Sequence, residues 1–261
     1  QVGQAGVQSI ITGGSMQTVS YSQAFSLDGS ESIDLDSTSA ADSDLTYTWK
    51  CIEYSPKYGT ACSSLDSLLT GDTLDVSAGV LTTNTVYQFS LKVTNEYDMT
   101  DSTSVRVSVV ADAVPQVVMT NPLDKYNKQD KVVLTGTVSA SAGAATAYWT
   151  ATGLETSQTL AGIAATPTTY VLPSGSTVVQ LSLVKYALTE GNSYTFTLNS
   201  VYSGYSGTSK TTASVTVLVN EAPTGGALTI SPVTGVALNT SFTFETASWS
   251  DDVDDYPLEY I

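Results

Sequence analysis

The chain has 261 residues, with 9 lysines and arginines against 25 aspartates and glutamates, and it contains no histidine. Because histidine is absent, the sequence excludes a Ser-His-Asp triad, a Cys-His dyad and zinc sites built on imidazole. The formal charge of −16 and a single arginine, Arg106, exclude a basic nucleic-acid surface. Nothing in the sequence places two carboxylates across a cleft from each other, so we expect no enzyme.

The composition is typical of half-buried β-strands. Tyrosine outnumbers phenylalanine by 15 to 5, and valine and threonine are abundant. The best apolar stretch, residues 105–119, is interrupted by Arg106, Asp112 and Pro115. A membrane helix needs about 20 consecutive apolar residues, so we predict no membrane span in this chain.

The two cysteines, Cys51 and Cys62, lie close together in one segment. Such a pair in a histidine-free chain indicates a local disulfide, worth roughly 2–3 kcal/mol by loop closure. Two reduced thiols are the alternative. A zinc site is disfavoured because further ligands of the usual type are missing.

Several alternating segments recur along the chain. Residues 84–93 around Tyr87 resemble residues 192–198 around Tyr194, and residues 105–109 recur as residues 215–219. The alternation of apolar and polar residues predicts strands with one buried face. Each repeat ends in an acidic residue, alanine and a proline, which predicts a stiff, extended hinge.

A second recurring element is an aromatic strand. Tyr47 and Trp49 are matched by Tyr148 and Trp149, and Tyr260 begins the corresponding strand of a third copy. Repeats of this size predict tandem immunoglobulin-like β-sandwiches, each of about 100 residues. We therefore predict an all-β chain with sandwiches at residues 1–112 and 113–220 and the first part of a third at residues 221–261.

The third copy is incomplete by this alignment. Trp249 precedes its acidic turn, so it does not match Trp49, whose counterpart would follow Ile261. A half sandwich leaves strand edges unpaired and one apolar face uncovered. We expect the natural chain to continue, with strands from a neighbouring molecule as the alternative.

Two regions resemble the receptor-for-egg-jelly (REJ) module and its PKD-type sandwich. Residues 27–36 and 45–51 resemble the PKD-type part, and residues 220–226, 235–238 and 249–260 resemble the part that follows. The resemblance implies an extracellular multi-domain rod, as in polycystin-like receptors and surface proteins of ciliates, with a spacing, adhesive or mechanosensory role and no chemistry. Family members often have cysteines near Leu228 and Thr246, and this chain has neither, so that disulfide is absent.

Two acidic stretches are candidate calcium sites, because calcium takes six to eight oxygen ligands. The PKD-type resemblance implies instead that the first aspartate and the serine hydroxyls of the first stretch bond the backbone of a turn. Four carboxylates within five residues repel each other, so we expect some neutralisation in the second stretch. The first stretch contains Asp28, Glu31, Asp34, Asp36, Asp42 and Asp44, and the second, a weak calcium candidate, contains Asp251, Asp252, Asp254 and Asp255.

The aromatic residues have structural and functional interpretations. We predict that Trp49 and Trp149 fill the sandwich cores, with a carbohydrate-binding platform as the alternative. Tyr87 and Tyr194 are predicted to bury their rings beside a turn and to bond the backbone through their hydroxyls. Asn239, followed by threonine and serine, is the candidate N-glycosylation site.

Together these observations predict a structural or adhesive segment of a large extracellular or cell-surface protein, with a filament or coat as its assembled form. Its predicted partners are other copies of itself, neighbouring surface proteins or glycans, and a ciliary surface is one location. The alternative is the ectodomain of a polycystin-like receptor that binds a ligand, a glycan or a partner protein. A carbohydrate-binding module attached to an enzyme is a third hypothesis, which requires exposed coplanar aromatic rings.

Overall fold

The computed structural model describes residues 6–37, 44–62, 64–65, 70–123, 125–204, 209–252, 255–256 and 258. These residues form strands and turns almost throughout, so the all-β prediction is confirmed. The strands of the first unit are β1 (Val7–Gln8), β2 (Met16–Ser20), β3 (Phe25–Asp28), β4 (Ile33–Asp34), β5 (Thr46–Ser55), β6 (Thr73–Val76), β7 (Thr85–Thr94) and β8 (Thr100–Val110).

The second unit has the same general plan, with a short helix after its third strand. Its elements are β9 (Gln116–Met119), β10 (Val133–Ala140), β11 (Ala145–Thr152), α1 (Leu160–Ile163), β12 (Thr169–Leu172), β13 (Gly175–Ser182), β14 (Ser193–Tyr202) and β15 (Thr211–Leu218). A hairpin follows, formed by β16 (Ala227–Ser231) and β17 (Thr243–Ala247).

Alternating side chains build two sandwich cores. In β7 the apolar residues Tyr87, Phe89 and Leu91 are buried, because successive side chains of a strand point to opposite faces. One large cluster of buried side chains draws on residues 11–109 and another on residues 117–219. Each core lies between two sheets. In the first unit β3 and β6 face β5, β7, β8 and β2, and in the second β9, β10 and β13 face β12, β11, β14 and β15.

Strand β2 joins both units into one eight-stranded sheet. The order of this sheet is β12-β11-β14-β15-β2-β8-β7-β5. Met16 lies opposite Arg106 in a parallel pairing with β8 and opposite Ser214 in an antiparallel pairing with β15. The hydroxyls of Thr18 and Thr212 add a hydrogen bond of 3.0 Å across the β2–β15 boundary. The domain boundary at residue 112 stays a prediction, because this sheet crosses from one unit to the other.

The connector around Pro115, predicted to be a stiff, extended hinge, is packed against both units. Val114 and Pro115 are buried, and the Thr211 hydroxyl donates a hydrogen bond to the Pro115 carbonyl. The Gln116 side chain donates to the carbonyl of Ala24, 2.9 Å away. The connector is therefore packed between the units, and the units lie side by side instead of end to end. The proline ends strand pairing, as expected, but tertiary contacts hold it in place.

The two sandwiches match each other in strand register. Trp49 of β5 lies opposite Leu91 of β7, and Trp149 of β11 lies opposite Leu198 of β14. Because β5 and β11 pair with the strands that carry Tyr87 and Tyr194, the two tryptophans occupy equivalent positions, as predicted.

Tyr47 and Tyr148 lie on these corresponding strands, as predicted, but on opposite faces of them. Tyr47 lies opposite Val93, on the same face as Trp49, and packs against the first core. Tyr148 directly precedes Trp149, so its ring lies on the opposite face, where the Lys210 ammonium is 5.8 Å from the ring centre. A shift of one residue moves a side chain to the other side of a sheet. Tyr260 lies outside the described residues.

The chain enters and leaves the eight-stranded sheet at the same end. Gly6 lies against the side chain of Met99, immediately before β8 begins. Strand β15 runs antiparallel to β2, so beyond Ser214 it descends towards the start of β8 and ends at Leu218. The Asn220 amide then donates a hydrogen bond of 2.8 Å to the Tyr126 carbonyl at this end of the sheet.

The third unit is represented by an antiparallel hairpin with an uncovered apolar face. Ile230 lies opposite Phe244 in the hairpin ladder, and Leu228 shares their face. Leu228 is 60% exposed and Phe244 is 66% exposed. These side chains have the alternation of a sandwich strand but no covering sheet among the described residues.

Candidate functional site

The first acidic stretch caps turns, as the PKD-type resemblance implied. The Asp28 carboxylate accepts a hydrogen bond of 2.9 Å from the Ser30 amide. The Ser32 hydroxyl donates to the carbonyl of Gly29 at 2.7 Å and accepts from the amide of Ile10 at 3.0 Å. These bonds satisfy backbone groups that a turn would leave unpaired.

A second carboxylate of this stretch joins distant parts of the first unit. One oxygen of Asp34 accepts from the Asp36 amide at 3.1 Å, and the other accepts from the Asn95 side chain at 3.0 Å. The backbone amide of Gly6 donates to the Asp36 carboxylate at 3.4 Å. Asp42 lies outside the described residues. The donors to these carboxylates are therefore N–H groups of the protein.

The second acidic stretch meets a lysine from the neighbouring unit. The Lys125 ammonium lies 2.7 Å from the Asp255 carboxylate and 3.1 Å from the Asp252 carboxylate. The hydrogen bond to Asp255 raises the pKa of Lys125, burial opposes this, and Asp252 adds to the rise. Lys125 thus supplies the neutralisation expected from the sequence and ties the loop after β17 to the second unit.

Backbone hydrogen bonds shape the same acidic loop. The Asp251 amide donates to the Tyr256 hydroxyl at 3.0 Å, and the Asp252 amide donates to the Asp251 carboxylate at 2.9 Å. Asp254 lies outside the described residues. Among the residues that are described, no group of three or more carboxylates or cysteines is placed to hold a metal ion. Calcium binding at this loop therefore stays a weak prediction.

Trp49 and Trp149 both fill their cores, as predicted. They are 2% and 4% exposed, so neither can serve as a carbohydrate platform. The Trp49 indole donates to the carbonyl of Gly71 at 2.9 Å. The Trp149 indole N–H is buried without a partner among the described residues.

The other sequence-predicted residues are also placed by the structure. Cys51 and Cys62 form the predicted disulfide, with their Cα atoms 5.5 Å apart, across the hairpin that follows Trp49. Asn239 lies exposed in the loop between β16 and β17. The Thr240 hydroxyl accepts a hydrogen bond from the Val236 amide at 2.8 Å, which shapes that loop. Glycosylation of Asn239 stays a prediction.

The junction of the units holds a candidate site that the sequence did not indicate. A groove of about 290 Å³ lies beside the start of β2, between β8 and β15. The segment before β2 is fixed to the end of β9 at this point, since the Gly13 amide donates to the Met119 carbonyl at 3.0 Å. The Asn121 side chain donates to the Ile11 carbonyl at 3.1 Å.

Sequence reasoning missed Lys125 and the residues of the groove for the same reason. Lys125 is one of several lysines in a polar stretch, and its partner Asp255 lies far along the chain. The groove arises where elements from both units meet. Neither feature has a local sequence signal, so only the tertiary fold reveals it.

Two comparisons by sequence match the whole chain or nearly all of it. A family profile described as the REJ domain matches residues 1–261. Polycystin-1 of Homo sapiens is 28% identical over 260 residues, which cover 96% of this chain and 6% of that protein. The chain therefore spans only a small part of the length of this relative.

Solved structures match this chain only at low similarity. The titin domains z1z2 in complex with telethonin give a TM-score of 0.27 at 13% identity, covering 84% of this chain and 98% of that chain. Chicken CNTN1 FN1-FN3 domains give 0.29 at 9% identity, covering 82% and 68%. Scores this low carry no functional argument. Within the described residues, no helix has the length and apolar character needed to cross a membrane.

Proposed function

The chain belongs to the REJ domain family, and from that premise we propose that it is a structural and adhesive segment of a large extracellular or cell-surface multi-domain protein. Its task is to hold neighbouring modules at a fixed spacing and to present a surface to copies of itself or to adjoining surface proteins. The disulfide between Cys51 and Cys62 supports this location, because disulfides persist in oxidising compartments.

The observation that carries the proposal is the position of β2. This strand pairs in register with both β8 and β15, so backbone hydrogen bonds cross the boundary between the sandwiches. The packed connector around Val114 adds a second link. Domains joined by a flexible linker move independently, whereas a large shared interface restricts that motion. The two sandwiches therefore form a stiff block suited to spacing.

The surface suits an exposed module. A formal charge of −16 favours solubility and disfavours non-specific clumping. The ion pairs of Lys125 hold the acidic loop after β17 against the second unit, so orientation is passed on to the next module. The exposed apolar face around Phe244 is a surface on which further sheet residues can pack.

Calorimetry tests the stiff block. We expect one cooperative unfolding transition for both sandwiches in the unaltered chain. Thr18→Pro removes a backbone donor from the middle of β2 and should split the single unfolding transition into two. Thr18→Val, which keeps the amide, is the matched control and should keep one transition. Two well-separated transitions in the unaltered chain would contradict the spacing role.

Bead aggregation tests the adhesive part separately. Beads coated with the chain should cluster with each other and not with beads coated with an unrelated sandwich protein. Coated beads that stay dispersed at high density, with the calorimetric result intact, would leave a spacer without self-adhesion.

A second candidate function is favoured by the 28% identity to human Polycystin-1. In this alternative the chain is part of a polycystin-like receptor ectodomain that binds a ligand, a glycan or a partner protein. Binding of the purified chain to a glycan array or to a panel of secreted ectodomains, saturable and absent from a denatured sample, would favour this role over simple spacing.

A further inference from the structure

The groove at the junction interrupts the pairing of the eight-stranded sheet. We propose that it binds a short, uncharged stretch of extended peptide from a partner protein, which takes the place of a missing strand segment. The inference needs only the geometry of the junction and does not rest on the proposed spacer role. The groove is lined by Ser104, Thr216, Gly14, Ser15, Pro122 and Leu123, among others.

The first edge of the groove is the outer side of β15. The Ser214 carbonyl accepts a hydrogen bond from the Ser15 amide at 2.8 Å, and the Leu218 carbonyl accepts one from the Tyr126 amide at 2.9 Å. Backbone groups alternate sides along a strand, so Thr216, midway between them, points its N–H and C=O to the same side. Among the described residues, nothing hydrogen-bonds the main chain of Thr216 on that side.

The second edge belongs to β8. The Arg106 amide donates to the Ser15 carbonyl at 3.0 Å, so it faces β2. Ser104, two residues earlier, points its backbone groups in the same direction, and its registered pairing with Ser90 lies on the other side. Two strand edges therefore face each other across the groove, immediately before β2 begins.

The width of the gap follows from β2 itself. At Met16 the gap between Arg106 and Ser214 holds exactly one strand, and each strand spacing is about 4.8 Å. Ser104 and Thr216 lie two residues further along the same two strands, so they border the continuation of this gap. Along β15 the distance from Ser214 to Leu218 is about 13 Å, at ~3.3 Å per residue. This length admits about three residues of extended chain.

The chemistry of the lining selects the occupant. None of the residues that line the groove carries a charge, so a buried charged side chain of a ligand would find no partner. Peptide backbone is the ligand whose donors and acceptors alternate with the period of these two edges, as in strand addition to a sheet. The net charge of −16 favours a ligand with basic residues on either side of the uncharged stretch.

A labelled-amide titration tests the proposal with a capped hexapeptide of sequence KTVTVK. We expect saturable chemical-shift changes at the amides of Ser104 and Thr216, and hydrogen exchange of the Thr216 amide slowed about tenfold or more at saturation. A capped peptide of sequence ETVTVE, with the same central residues and acidic ends, should bind at least about tenfold more weakly.

Two variants locate the binding. Leu123→Trp fills the groove at a side chain that is already 64% exposed and should weaken peptide binding about tenfold. Val171→Trp, at an 82% exposed position on the edge strand β12, is the matched control and should bind normally. Thr216→Pro removes the donor on the groove side and should also weaken binding. Melting temperatures of all three show that they fold.

Three outcomes would overturn the proposal. The first is that the chemical-shift changes are confined to β5 or β12, which are the outer edges of the sheet. The second is that the Leu123→Trp variant binds the peptide as tightly as the Val171→Trp variant. The third is that a neutral oligosaccharide shifts the amide signals of Ser104 and Thr216 and the peptide does not. The groove would then be a sugar-binding site.

Discussion

Tyr87 and Tyr194 make the same hydrogen bond in the two sandwiches. The Tyr87 hydroxyl accepts from the amide of Thr82 at 3.0 Å, and the Tyr194 hydroxyl accepts from the amide of Thr189 at 2.9 Å. Each donor lies five residues before its tyrosine, and both rings are buried. This arrangement fixes the turn that leads into β7 or β14 and confirms the role predicted for both residues.

Removing either hydroxyl should destabilise the protein. Tyr87→Phe and Tyr194→Phe each leave a backbone amide without its acceptor, and we expect each to lower the free energy of unfolding by about 1–2 kcal/mol. Tyr186→Phe, at a position that is 66% exposed, is the control and should have no measurable effect. Urea unfolding measures all three, and equal stabilities would contradict the structural role.

The two core tryptophans should respond unequally to the same substitution. Trp49→Phe removes the hydrogen bond to Gly71, whereas Trp149→Phe removes a buried N–H that has no partner among the described residues. Both variants lose similar apolar volume, but the second also relieves a desolvation cost. We expect Trp49→Phe to be more destabilising by about 1–2 kcal/mol in the same urea measurement.

Calcium should have little effect on the unaltered protein. The Lys125 ammonium lies between Asp252 and Asp255 and already neutralises part of their charge. We expect millimolar calcium chloride to change the melting temperature by less than about 1 °C compared with sodium chloride at equal ionic strength. Lys125→Met should lower the stability of the loop. A clear calcium-dependent rise of the melting temperature in the unaltered chain would support calcium binding at this loop.

Asp101 should make stability depend on acid pH. Burial raises the pKa of Asp101, but hydrogen bonds from the amide and hydroxyl of Ser9 and from the Ser102 amide more than offset it, so the pKa lies below its ordinary value. The ionised Asp101 carboxylate therefore stabilises the folded protein above the unfolded-state pKa of about 3.9. This stabilisation is lost as pH falls through the lower pKa of the folded state.

The test of this pH dependence compares two variants. Asp101→Asn should flatten the dependence of the unfolding free energy below about pH 4. Asp98→Asn is the control, because Asp98 is an exposed carboxylate in the adjoining turn. A profile that falls as steeply in Asp101→Asn as in the unaltered chain would show that another group is responsible.

Asn239 should carry a glycan when the chain passes through a eukaryotic secretory pathway. The residue is exposed in the β16–β17 loop and has the required hydroxyl at Ser241. Mass spectrometry before and after glycosidase treatment should reveal one N-linked glycan. Ser241→Ala should abolish it and Ser241→Thr should retain it. An unmodified Asn239 in the secreted protein would contradict the prediction.

Local patterns predict the strands of this protein well. The alternation around Tyr87 and Tyr194 locates β7 and β14, and the valine repeats locate β8 and β15. Side-chain periodicity is a local property, so a strand with one buried face shows it directly in the sequence. The equivalence of Trp49 and Trp149 follows from the same alternation, whereas the tyrosines beside them lie on different faces.

Relationships between distant segments escape such patterns. Strand β2 is five residues long, and its sequence does not predict that β8 and β15 are its neighbours in the sheet. The same holds for Lys125, whose carboxylate partners belong to the next unit, and for the groove beside Ser15. These features depend on which surfaces the folded units present to each other, and that is set by packing over the whole chain.

The shared end for entry and exit bears on how such proteins gain size. Gly6 and Asn220 lie at one end of the sheet, so the polypeptide leaves the two sandwiches at the end where it enters them. Strung end to end, the same sandwiches would each add a strand length of ~33 Å for ten residues. Two sandwiches that share one sheet therefore extend a polypeptide less than two sandwiches placed end to end.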